Sequence, residues 1–155
     1  MATIAALVHP FDWRTVLLAK HAQHVALIHF PIALYTTGVA LDIAGLWLNR
    51  QHLGDAAYYN FSLAAAFAIP AAATGLIAWQ WQLEGQKLKG ILLEHLIAGI
   101  CAAAAIIATW FVLFRARRNK HQAPPVRFLL EAAGMLVVIV AGHLGGFLSG
   151  VNGPS

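Results

Sequence analysis

Residues 91–114 read ILLEHLIAGICAAAAIIATWFVLF, twenty-four positions in which Glu94 is the only formally charged side chain and His95 the only imidazole. As a helix at 1.5 Å per residue this run spans about 36 Å, enough to cross a hydrocarbon core of about 30 Å. Working outward, three more such stretches appear at about 25–47, 59–81 and 126–148. The whole chain of 155 residues is 60% hydrophobic and 10% charged, against about 25% charged in an ordinary soluble domain. Lipid, not water, is the solvent this composition fits. We therefore expect an all-α membrane protein: a four-transmembrane-helix bundle running up-down-up-down as one membrane domain over 1–155.

The connectors are short, which leaves no room for a globular domain outside the bilayer. Residues 1–23 form a lead-in whose Phe11, Trp13, Val16 and Leu17 alternate with Asp12, Arg14 and Lys20. That pattern predicts a short N-terminal interfacial helix. A signal peptide is not expected, because the basic start and small-residue cleavage site are missing. The net charge of +4 comes from a local cluster, Arg115, Arg117, Arg118 and Lys120, with Arg127 just beyond. Such a cluster meets anionic headgroups and fixes orientation more simply than it binds nucleic acid. It puts the third connector in the cytoplasm and both termini in the periplasm of a bacterial inner membrane. Cys101 is alone and within a span, so it reads as a small core residue and not as part of a disulfide or thiolate site.

With that topology His29, His95 and His143, on three different spans, each fall roughly 6–8 Å below the same membrane surface at 1.5 Å rise per residue. His24 marks the rim. A single intramembrane histidine is commonly a hydrogen-bonding group between helices. Three in one layer point instead to a shared cofactor or metal site. His9, His21, His52 and His121 lie in loops or in the lead-in and are expected to be solvated.

Imidazole suits haem iron, copper and zinc. Haem b asks for one axial imidazole on each of two facing helices, with a flat gap between. Small residues near the layer supply room: Ala98, Gly99 and Ala102 below His95, the Ala64–Gly75 run of the second span, and Gly142, Gly145 and Gly146 around His143. In an up-down bundle the first and third helices are diagonal, so His29 and His95 are the first choice for bracketing a haem. His24 and His143 then serve a second site or support the first; one or two haems fit. Pro31 bends the first helix two residues after His29 and either aims that ring inward or serves packing. A three-histidine zinc or copper site is the competing reading.

Two acids lie toward the other end. Glu131 has Arg127 one turn away, which reads as a local ion pair. Asp42 accepts from a neighbouring helix or reaches the wet interface. A proton path from there to the histidine layer is a further, thinner reading.

The stretch His24-Val-Ala-Leu-Ile-His29-Phe-Pro31, with Asp42 beyond it, Leu-Glu-His95-Leu and Gly142-His143-Leu-Gly145-Gly146 resemble the domain-of-unknown-function 2231 family of bacterial membrane proteins. The resemblance covers roughly residues 20–150. The chain departs from the family's usual His-Pro at His24-Val25 and in the tail after Gly146. Relatives fused to Rieske or cytochrome c modules imply an electron-transfer setting.

Together these readings lead us to expect a b-type cytochrome-like electron-transfer subunit, a carrier and not a catalyst. Its partners would be lipid together with a periplasmic electron carrier, a quinone or a larger respiratory complex. A copper or zinc binding or transport protein and a cofactor-free structural accessory subunit are the alternatives. No phosphate-binding loop and no nucleophile motif is present.

Overall fold

A computed structural model describes residues 22–82, 85, 87–121 and 123–150. The lead-in expected to lie at the interface, with His9 and His21, is outside these residues, as is Glu84. Four helices account for nearly all of what is described: α1 (Ala22–Trp47), α2 (Gln51–Gln82), α3 (Ile91–Arg118) and α4 (Arg127–Leu148). Each is long and apolar enough to cross a membrane. The all-helical, four-span expectation therefore holds.

Helix ends follow local chemistry. At the end of α1, Arg50 N–H bonds Gly45 O and Asn49 N–H bonds Leu46 O, with Asn49 in the left-handed region at φ 50°. His121 and Lys120 repeat this at the end of α3, bonding Ala116 O and Arg117 O, with Lys120 at φ 56°. This is the paired-bond cap that satisfies the last helical carbonyls.

Helices α1 and α2 form one tight antiparallel hairpin and α3 and α4 another; α2 packs on α3 to join the two, while α1 and α4 touch only lightly. Small residues let the first pair approach closely. A methyl group added at Gly38 would lie 2.9 Å from the Phe61 ring, and one at Gly45 would lie 3.1 Å from the main-chain nitrogen of Gly54. The core is thin and runs along the bundle axis: Tyr35, Phe61, Ala64, Ala68, Ile106, Leu113 and Val138. Outward faces carry Leu129, Ile69, Leu136 and Ile100, all more than half exposed, as lipid contact requires. Trp47 and Trp81 project at opposite ends of the bundle, the place where aromatic rings favour the membrane interface. Cys101 is exposed on α3, which corrects the core position expected for it: it lies one residue off the buried stripe that includes Ala102 and Ile106.

The two hairpins repeat one plan. Buried Pro31, Tyr35, Gly38 and Asp42 of α1 have buried counterparts 71 residues later, at Ala102, Ile106, Thr109 and Leu113 of α3. Phe61, Ala64 and Ala68 of α2 have theirs 70 residues later, at Glu131, Gly134 and Val138 of α4. The matching pattern is one of burial, not of residue type.

Candidate functional site

Under this plan His24 of α1 and His95 of α3 are counterparts, each seven residues before the buried Pro31 or Ala102. Seven residues is two helical turns, so both lie on the core-facing stripe. Their surroundings also match. His24 Nδ1 lies 3.1 Å from Ala71 O of α2, and His95 Nδ1 lies 3.1 Å from Ala141 O of α4. Four residues beyond each acceptor comes a glycine against the ring. A methyl group at Gly75 would sit 2.9 Å from His24 Cε1, and one at Gly145 would sit 3.1 Å from His95 Cε1. These glycines make the space in which each imidazole lies.

A carbonyl oxygen only accepts, so Nδ1 of each ring carries the hydrogen. In His24 a second acceptor agrees. The Thr74 hydroxyl, 3.3 Å from Nδ1, donates its own hydrogen to Pro70 O or Ala71 O and offers the ring a lone pair. In a neutral ring the nitrogen able to bind a metal is then Nε2. A backbone carbonyl on the other nitrogen is the usual way a protein fixes the tautomer and direction of a metal-binding imidazole. Each ring thus offers a single nitrogen donor of the kind that haem iron, copper and zinc all accept.

His29 and His143 are placed differently. His29 is exposed on α1, its Nδ1 donating to Val25 O of its own helix at 2.6 Å. Pro31 is buried in the core stripe while His29, two residues before it, lies outside that stripe. His143 is exposed on α4, with its ring edge-on to Phe147 at 5.0 Å between centroids. Among the described residues no three His, Cys, Asp or Glu side chains gather as a set able to hold a metal ion. His52 and His121 are exposed near the connectors, as expected.

At the opposite end the structure assembles a polar cluster that the sequence disclosed only in fragments. Tyr35, fully buried, has its hydroxyl 3.0 Å from Thr109 Oγ1 on α3 and 3.3 Å from Leu130 O on α4. Thr109 spends its hydrogen on Ala105 O, so Tyr35 is the donor. Arg127 Nε donates to Asp42 Oδ2 across the α1/α4 seam at 2.8 Å, whereas Glu131 Oε1, on its own helix, is 3.9 Å away. Arg127 thus makes the local ion pair with Glu131 that the one-turn spacing implied, and a closer one with Asp42, which accepts from a neighbouring helix as expected. Arg117 bonds Asp55 and Gly54 O of α2 and lies over the Tyr58 ring. This member of the basic cluster thus ties α3 to α2.

The polar groups supporting the rings, Ala71 O, Thr74 and Ala141 O, were missed by sequence reasoning. Spacing along one helix carries no information about which carbonyl a neighbouring helix presents.

Neither the curated proteins nor the solved structures contain a match to this chain. Residues 20–153 match the family described as "Predicted membrane protein (DUF2231)". That is most of the chain, and it includes all four helices and the histidines of the layer: the chain belongs to the DUF2231 family of membrane proteins.

Proposed function

We propose that the chain is a membrane-embedded electron-carrying subunit that binds haem b through one imidazole from each hairpin, His24 of α1 and His95 of α3. The observation supporting this is the matched anchoring of the two rings, Nδ1 on a main-chain carbonyl of the following helix at 3.1 Å in both. The α1 ligand thereby moves from His29, the first choice from sequence, to His24, which shares the core-facing stripe with its counterpart. Haem would supply one-electron transfer. Ala71 O, Thr74 and Ala141 O hold the ring hydrogens, and Gly75 and Gly145 keep the rings clear of the neighbouring backbones. Two imidazoles suit haem, which takes two axial ligands, better than zinc or copper, which take three or four. His29 and His143 are left for a second haem or for contact with a partner. The electron's partners are a quinone, a periplasmic carrier or a larger respiratory complex.

The test is a reduced-minus-oxidised absorption spectrum of detergent-purified protein, expressed with ample haem. Soret and α bands are expected in the wild type and lost in His24→Ala and His95→Ala. They are expected to survive in His29→Ala and His143→Ala. A colourless wild type would refute the haem reading. Loss in His29→Ala with retention in His24→Ala would return the α1 ligand to His29.

A further inference from the structure

At the end of the bundle remote from the histidine layer, Glu131 is 2% exposed. Both its carboxyl oxygens are enclosed, and among the described residues neither has a hydrogen-bond partner. Arg127, one turn before it, directs its hydrogen bonds elsewhere: Nε to Asp42 and NH1 to Ala123 O at 3.0 Å, its guanidinium lying over the Phe128 ring. One guanidinium thus serves two carboxyls, its Nε 2.8 Å from Asp42 Oδ2 and 3.9 Å from Glu131 Oε1, which brings the two acids close together. Two carboxylate oxygens are both acceptors, so no bond joins them until one carboxyl carries a hydrogen. An ionised carboxylate without a donor is strongly disfavoured in apolar surroundings, whereas the acid form carries no charge to be solvated.

The neighbours on every packed helix agree. From α1 come Asp42 and Tyr35; the Tyr35 hydroxyl hydrogen is directed to Thr109 and to main-chain carbonyls, not to the Glu131 carboxyl. From α3 comes Thr109, and from α2 the Phe61 ring packed on Tyr35. Along the weakly contacted α1/α4 seam runs a groove of about 410 Å³, lined by Glu131 with Val39 and Ile43 of α1 and Met135 and Leu136 of α4. Ile43 and Leu136 are exposed, so the groove opens sideways onto lipid.

We propose that Glu131 is a proton-exchange site, a buried carboxyl that takes up and releases one proton while sharing the Arg127 counter-charge with Asp42. With the proton on Glu131, Asp42 and Arg127 form a neutral pair. When it leaves, to water at the connector end where Asp42 and Arg127 keep slight exposure, Arg127 divides its attraction between two carboxylates. The site stands whether or not His24 and His95 bind iron.

Infrared spectroscopy of the full detergent-purified chain tests this. At pH about 7 ordinary surface carboxyls are ionised, so a protonated-carboxyl C=O band there reports a buried acid. The band is expected in wild type, with a shift in D2O, and is expected to vanish in Glu131→Gln while surviving in Asp55→Asn. A wild type without the band, or a Glu131→Gln protein that retains it in full, would overturn the proposal. Should Glu131→Gln not fold, an apolar carbodiimide entering the seam groove decides in the wild type. It takes the proton of a carboxylic acid onto nitrogen, bonds the carboxyl oxygen to carbon, and rearranges to an N-acylurea. An adduct on Glu131 in peptide mass spectra supports the site; an unmodified Glu131 rejects it.

Discussion

Replacing Arg127 by Met removes the only guanidinium from a site that holds two carboxyls. At an effective dielectric of about 20, the attraction between Arg127 Nε and Asp42 Oδ2 at 2.8 Å is about 6 kcal/mol; Glu131, 3.9 Å away, adds to it only when it has released its proton. Desolvation of side chains that are 15%, 10% and 2% exposed offsets much of this gross attraction. What remains decisive is the charge left behind, so Arg127→Met is expected to cost about 3–5 kcal/mol. Asp42→Asn should cost only about 1–2 kcal/mol, because Glu131 can release its proton and become the counter-charge while the Asn oxygen still accepts. The triple variant Arg127→Met, Asp42→Asn, Glu131→Gln has no buried ion and should regain more than half of the loss. Arg117→Ala is the control: its pair with Asp55 is 40% and 46% exposed and should count for less than about 1 kcal/mol. Unfolding by denaturing detergent in mixed micelles reads all four. If Arg127→Met is no worse than Arg117→Ala, or the triple variant no better than Arg127→Met, the charge argument is wrong.

Two further outcomes follow from single contacts. Tyr35→Phe removes a hydroxyl that joins α1 to α3 and α4. It should cost about 1–2 kcal/mol in the same assay, and a neutral result would show that the hydroxyl is dispensable. Gly75→Ala and Gly145→Ala each push a methyl group against an imidazole. Both should lower stability by about 1–3 kcal/mol and by similar amounts; a large cost at one glycine and none at the other would contradict the equivalence of the hairpins.

The fold was readable because crossing a bilayer leaves a one-dimensional signature: long apolar runs with polar breaks. The helices overrun the runs where polar turns find work. α2 starts at Gln51, eight residues before the apolar stretch that begins at Tyr59, and so carries Asp55 to Arg117. The histidine layer was also readable as a set of depths, since depth follows from residue number at a fixed rise. Direction was not. His29 and His24 differ in which way they face, and the proline beside His29 gave no reliable sign of it.

Composition and spacing alone thus settled that this chain is a four-span membrane protein, with His24, His29, His95 and His143 toward one end and Asp42 and Glu131 toward the other. Only the tertiary structure divided it into two equivalent hairpins and separated His24 and His95, anchored within them, from the exposed His29 and His143. It also brought Arg127 closer to Asp42 than to Glu131 and, among the described residues, left the Glu131 oxygens without a hydrogen-bond donor. The reason is physical: hydropathy and helical rise act along one chain, whereas the choice of hydrogen-bond partner between helices depends on how their faces rotate and pack. Local spacing does not encode that rotation.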